Sequence, residues 1–446
     1  MRFFPPLFRS PHACRAVALA AAAPFAYEVR EKQLTEGESN DVLFPIADKQ
    51  RVEKQWSMTS SSTTSNSSYH INKVKISTPG LTFVSVDKGS DDLADQQQIG
   101  AIRVSADKSE LLECIEVVPL QPNGIEIRFK KDTPMVTGHL LTELSLSQEA
   151  QVNAVEASGG GVVVVEENVL VTDCAHADAK FSLKGHGELF IDASSADINL
   201  KNLLLSVAGS GKIQFEAAEI VVMDDVLLQV VGSGHANLFA KSKLHASVVK
   251  SSIAGAGHTT TASSELLANK LKSSITGYGE AKHFGPGRAD IQRVSITGSG
   301  NVTSKEIASD VATVRVIGSG EAMLDVKEYL EATCKGWGVV RYVNTPPNTV
   351  KTSSLSVEKA RAAVRKPTQE DKQNAKSFPV PERKDAFDDI SVEYNPKTAK
   401  EYQKDSFDVF EAIDALKNAI SARRVQFSSE SQNECEEDCE EREERR

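Results

Sequence analysis

The sequence predicts an all-β chain whose centre is a right-handed parallel β-helix, and three observations predict it. Glycine pairs of the form Gly-x-Gly recur eight times, an aliphatic residue stands two positions before all but one of them, and the same alternation resumes beyond each pair. Regular recurrence at roughly 20 residues marks an array of stacked units.

The pairs are Gly185/Gly187, Gly209/Gly211, Gly232/Gly234, Gly255/Gly257, Gly277/Gly279, Gly298/Gly300, Gly318/Gly320 and Gly336/Gly338, so the first-glycine steps are 24, 23, 23, 22, 21, 20 and 18 residues. Two positions before them stand Leu183, Val207, Val230, Ile253, Ile275, Ile296, Val316 and Cys334. Two earlier stand Phe181, Leu205, Leu228, Ser251, Ser273, Val294, Val314 and Ala332. Two past the second glycine the parity continues with Leu189, Ile213, Ala236, Thr259, Ala281, Val302, Ala322 and Val340. This is the period-two pattern of strands with one buried face. Each repeat therefore reads strand, sharp corner, strand, with both glycines of a pair as structural turn residues. Glycine can take positive φ at the corner, and a small residue between two glycines lets successive corners stack closely.

The repeat is too short for a four-stranded propeller blade, and its β-branched content argues against paired helices. Coils stacked about 4.8 Å apart would give eight coils a length on the order of 40 Å. The crossover rule for parallel strands makes the winding right-handed. Gly159-Gly160-Gly161 reads as a degenerate earlier corner.

The flanks differ. Residues 1–27 hold three arginines and no acid, with an alanine-rich run from Ala16 to Ala26. That leader fits a secretory signal, with Ala21-Ala22-Ala23 as a cleavage site, and fits a mitochondrial presequence equally, so a secreted or cell-surface location and a mitochondrial one both stay open. Residues 28–70 read as a linker, since ten of the twelve residues from Ser57 to Ser68 are serine or threonine. From Ile71 strand-like alternation begins, as expected of an atypical first coil capping a solenoid, and the β-helix is assigned to 71–345. Residues 346–446 read as a polar, largely disordered acidic tail. Within it Phe407, Phe410, Ile413, Leu416 and Ile420 line one face of a helix over 406–425, which either docks on the rod or meets a partner.

Net charge is -11 over 446 residues, which argues against a nucleic-acid partner, and no run approaches 18 apolar residues, so no membrane span is expected. The six cysteines, at 14, 114, 174, 334, 435 and 439, lack zinc-ligand spacing. Asn66-Ser67-Ser68 and Asn301-Val302-Thr303 match the glycosylation sequon.

Four constellations invite chemistry. Gly209-Ser210-Gly211-Lys212 lacks the opening glycine and the following Ser or Thr of a phosphate loop. His235, His258 and Glu280 fall in one column on adjacent coils, where a divalent metal is conceivable, yet Lys212 and Asn301 share that position and an unrelated polar column is the plainer reading. Cys174, His176 and Asp178 alternate on one strand without the surroundings of an activated thiol. Asp224-Asp225 has no second carboxylate cluster beside it of the kind glycan-cleaving β-helices use. The expectation is no catalytic residue, no cofactor and no metal.

The segment from Ile71 to Asn344 resembles the auto-transporter adhesin head domain called the GIN domain. The resemblance rests on Ile71-Asn72-Lys73-Val74-Lys75-Ile76, on Glu110-Leu111-Leu112-Glu113-Cys114-Ile115, on Gly124-Ile125-Glu126-Ile127-Arg128-Phe129-Lys130-Lys131, and on the recurring Val/Ile-x-Gly-Ser-Gly. It implies an adhesin-like, non-enzymatic binding scaffold for a glycan or a protein. A polysaccharide-acting enzyme and a structural scaffold of an organelle are the alternatives.

Overall fold

The computed structural model describes residues 27–32, 52–60, 71–87, 98–121, 123–131, 133–147, 152–353, 357–359, 377–383 and 391–394. All lie in the first of two compact units, Met1–Tyr394; the second, Asn395–Arg446, with the helix expected at 406–425, lies outside the described residues. So do Asn66 and most of the leader.

The chain is an all-β solenoid of about nine turns. Strands such as Glu188–Gly209, Lys212–Gly232, His235–Gly255 and His258–Gly277 each run through a whole coil and pair in parallel with the next. The three columns that alternation points inward are buried throughout, from Leu183, Val207 and Val230 to Val316 and Cys334.

The chain bends at the glycine pairs, but the two glycines of a pair do different things. Positive φ falls on the first alone: Gly185, Gly209, Gly232, Gly255, Gly277, Gly298, Gly318 and Gly336 have φ between +109° and +124°. These glycines pair with one another coil upon coil, beginning at Gly159. The carbonyl of Gly185 accepts the N–H groups of both Ser210 and Gly211 at 3.0 Å, so the tight turn leaves its donors satisfied.

The second glycine of each pair serves the corner through its missing Cβ. Gly187, Gly211, Gly234, Gly257, Gly279, Gly300, Gly320 and Gly338 are buried and lie outside the left-handed region. Lack of space, not backbone conformation, holds these positions to glycine. A Cβ at Gly187 would lie 2.3 Å from the Gly161 carbonyl oxygen, and one at Gly211 or Gly234 would lie 2.6 or 2.5 Å from the carbonyl oxygen of the second glycine one coil earlier. At Gly257, Gly279 and Gly300 the nearest atom is instead a methyl of Val230, Ile253 or Ile275, at 2.4, 2.5 and 2.5 Å. A Cβ at Gly320 would lie 2.4 Å from the Gly300 carbonyl oxygen, and one at Gly338 would lie 2.3 Å from a methyl of Val316. The second glycine thus makes room for the inward aliphatic column of the coil before it.

The shrinking interval has a local cause. Corners stay in register while residues are lost at two irregular bends elsewhere in the coil. Between the coils of Asn301–Gly318 and Glu321–Gly336, Ser304 to Ala308 lies opposite Leu324 to Asp325, and Ser309 to Val311 opposite Val326 to Tyr329. Three residues are lost at one bend and one regained at the other, which turns a step of 20 into 18. A coil is thus three straight segments with one glycine corner and two adjustable bends, more than the strand-corner-strand reading supplies.

The interior is not uniformly aliphatic. Two buried apolar clusters fill it, one reaching from Trp56 to Ile307 and one from Ile253 to Val340. Ser251, Thr259, Thr261, Ser273, His283, Gln292, Ser304 and Ser309 are buried where those clusters meet. Ser273 Oγ and His283 Nε2 are 3.1 Å apart, and Gln292 Nε2 donates to Ser304 Oγ.

The amino-terminal end is closed by antiparallel strands. Val136–Leu146 pairs in parallel with Leu81–Val86 and antiparallel with Gln98–Ala106, which in turn pairs with Val52–Ser60. The reading of 28–70 as linker is therefore corrected: Val52–Ser60 is a cap strand with Trp56 and Met58 buried, and Tyr27–Lys32 pairs with it. Alternation, not overall composition, decides a strand with one face inward.

The tail is corrected likewise. Thr349–Thr352 and Val357–Lys359 continue the parallel stacking, and Ser391–Tyr394 adds antiparallel to Val136–Leu146. Between them residues 377–383 lie along the outside of the first coils.

Candidate binding surface

The residue after each second glycine faces outward, and the ladder aligns these residues into one column: Glu188, Lys212, His235, His258, Glu280, Asn301 and Glu321. One coil of rise separates neighbours, so their side chains meet. Lys212 Nζ lies 2.6 Å from Glu188 Oε1, the rings of His235 and His258 stack at 4.8 Å and 10°, and His258 Nδ1 lies 3.6 Å from Glu280 Oε2. Burial, then the neighbouring His258 and Lys212, push the His235 imidazole below its ordinary pKa. Stacked rings place their nitrogens side by side, which does not converge on one ion. Among the described residues no group of three or more His, Cys, Asp or Glu is arranged to hold a metal.

The column two residues on is apolar near the amino-terminal end. Leu81, Phe83, Leu141, Val164 and Phe190 form a buried cluster outside the coil interior, with Val162 and Phe378 packed against it. The segment 377–383 is the cover. The Phe378 N–H donates to Gln214 Oε1 at 2.7 Å, and Gln214 Nε2 donates back to the Phe378 carbonyl at 3.2 Å. The Phe378 ring lies 4.8 Å from Lys212 Nζ and edge-on to His235. Arg383 bonds Glu166 at 2.6 Å and Glu143 at 3.2 Å, its guanidinium over the Phe83 ring.

The other constellations come apart. Gly209-Ser210-Gly211-Lys212 is an ordinary corner whose lysine is paired with Glu188. A register shift between Cys174 and Asp178 bends the strand there, so those two residues and His176 do not share one regular face; Asp178 accepts from Asn202 Nδ2 at 2.7 Å. Asp224 and Asp225 are exposed at a bend, where the Asp225 N–H donates to Asn202 Oδ1. Asn301 is exposed, first in its strand after a corner.

Three features escape sequence reasoning. Residues 377–383 carry no periodic signal. His283 stands two residues past the inward Ala281, so parity alone assigns it to the interior. The middle residue of a corner need not be small: Tyr278 and Trp337 occupy that position and project into solvent, 77% and 90% exposed.

This architecture is that of a β-solenoid. Residues 227–346 match the family described as "Putative auto-transporter adhesin, head GIN domain". The match is narrower than the stretch 71–344 expected from the sequence. Similar solved structures include a "putative adhesin" from Parabacteroides distasonis ATCC 8503 and one from Parabacteroides merdae ATCC 43184, each 17% identical, covering 70% of this chain and 96% of theirs with a TM-score of 0.33. A "Putative lipid binding protein" from Parabacteroides distasonis ATCC 8503 is 12% identical over 70% of this chain and 97% of its own, with a TM-score of 0.33. A comparison with curated proteins gave no match. Among the described residues no helix is long and apolar enough to cross a membrane.

Proposed function

We propose that this chain is a non-enzymatic binding scaffold, presenting a repetitive outer surface of the solenoid to a glycan or protein ligand. The observation that carries this reading is the register of the corners. Because each first glycine pairs with the next, the outward residues beside them repeat at one-coil spacing along the rod. A ligand that also repeats can then make several weak contacts at once, each raising the effective concentration for the next.

The test is retention of the full chain on a combined glycan and protein-ligand array, with product analysis of any retained glycan. Retention without cleavage supports the scaffold. Cleavage products would instead establish the enzyme.

A further inference from the structure

Tyr278 and Trp337 are, among the described residues, the two most exposed large apolar side chains. Folding does not require them there, since Ser210, Ser233, Ala256, Ser299 and Ser319 occupy the same position in other corners. Each projects from the rigid ridge formed by stacked glycine corners. An aromatic ring held in water on a stiff support is poised for contact with a ligand face.

The ladder fixes their separation. Gly277 pairs with Gly298, Gly298 with Gly318 and Gly318 with Gly336, so the two rings stand three coils apart, roughly 14 Å along the rod. Between them lie hydroxyls: Ser299 Oγ and Ser319 Oγ are 2.8 Å apart, and Thr276 and Thr297 are exposed beside the ridge. Asn301 offers an amide on the opposite flank. Nearby carboxylates are already paired, Glu280 with Lys282 at 2.8 Å and Glu321 with Arg341 at 3.1 Å.

Resting on the scaffold reading above, we propose that the ridge from Tyr278 to Trp337 is a platform for a neutral, extended polysaccharide lying along the rod axis. A pyranose ring has an apolar C–H face that stacks on an aromatic ring and hydroxyl edges that bond Ser, Thr and Asn. The coil rise of about 4.8 Å is close to the length of one hexose in an extended chain. The two rings would therefore stack on sugars three apart, with the serine hydroxyls facing those between. The carboxylates beside the ridge are each paired with a cation, and Lys335, exposed in the same flanking column as Thr276 and Thr297, is a charge whose contribution the ionic polymers in the test below measure.

The test is affinity electrophoresis of the full chain, produced in a bacterial host so that Asn301 carries no sugar, through gels containing barley β-glucan, laminarin, mannan, alginate or heparin. Retardation by at least one neutral polymer is expected. Tyr278→Ala and Trp337→Ala should each weaken it by about tenfold, and the double variant should abolish it. Trp56 is buried, so the exposed Trp337 should give a blue-shifted fluorescence on binding. Thermal unfolding of the variants should match the parent, because serine and alanine serve at other corners. Retardation untouched by both substitutions would overturn the platform and leave the scaffold standing, as would capture of a protein ligand alone. Retardation only by alginate or heparin would overturn the neutral ligand. A chain that retains neither glycan nor protein would overturn both readings.

Discussion

Gln214 grips the backbone of Phe378 with both ends of its side-chain amide, across 164 residues of sequence. The pair fastens residues 377–383 over an outward apolar cluster that would otherwise face water. Gln214→Ala removes both bonds and should cost about 1 kcal/mol. Arg383→Ala should cost about 1–2 kcal/mol, since it leaves the Glu143 side chain, only 8% exposed, without that cation, while partial exposure of the arginine limits the loss. Denaturant unfolding combined with limited proteolysis checks both. If neither variant loses stability or becomes easier to cleave within 377–383, the strap contributes nothing.

The corner glycines differ in what surrounds them. Gly159 has φ +95° but nothing within 4 Å of a built Cβ, whereas Gly185 has φ +111° and the Gly159 carbonyl oxygen at 2.6 Å. Gly159→Ala should therefore cost only backbone strain, about 1 kcal/mol. Gly185→Ala should cost clearly more. Gly277→Val adds a branched side chain at φ +122° against the Gly255 carbonyl and should be the most damaging. Thermal melts of the three variants should fall in that order; an unchanged melting temperature for Gly277→Val would contradict the corner.

His283 is fully buried, and burial lowers its pKa to about 4 from an ordinary 6.5. The folded state keeps the ring neutral while the unfolded chain takes up a proton as pH falls through 6.5. Stability should therefore decline between pH 6.5 and about 4 and then stop declining on this account, a loss of roughly 3 kcal/mol. His235 and His245 are shifted the same way by burial, so the difference between the parent and His283→Gln isolates the buried ring. Identical pH dependence in both proteins would rule out this linkage.

The coil is legible because its constraint is written once per repeat: a glycine at φ near +120° and an inward residue two positions before it. Seven aliphatic residues from Leu183 to Val316 announce the interior. The pairing of glycines is equally plain, but not the division of labour within a pair, because a glycine kept for φ and one kept for space are the same letter. The shrinking step is visible and its cause is not, since residues lost at the bends leave no fixed signature. Serine and threonine around Trp56 and Met58 hide Val52–Ser60, whose burial follows from spacing alone. Contacts such as Gln214 with Phe378 join distant segments through single side chains, and no periodicity records them. Tyr278 and Trp337 stand in recognisable corners, but the expectation of a small middle residue obscures that this position points outward.

Register between successive corners underlies both the fold and the binding surface, and a disulfide pair measures it. Residues at equivalent positions in adjacent coils are about 4.8 Å apart, within disulfide reach, while those two coils apart are separated by about 9.6 Å. Upon mild oxidation, Ser299→Cys combined with Ser319→Cys should cross-link in high yield, as mapped by peptide mass spectrometry, and Ser299→Cys combined with Trp337→Cys should not. Failure of the first pair, or equal yields from both, would contradict the stacked glycine corners.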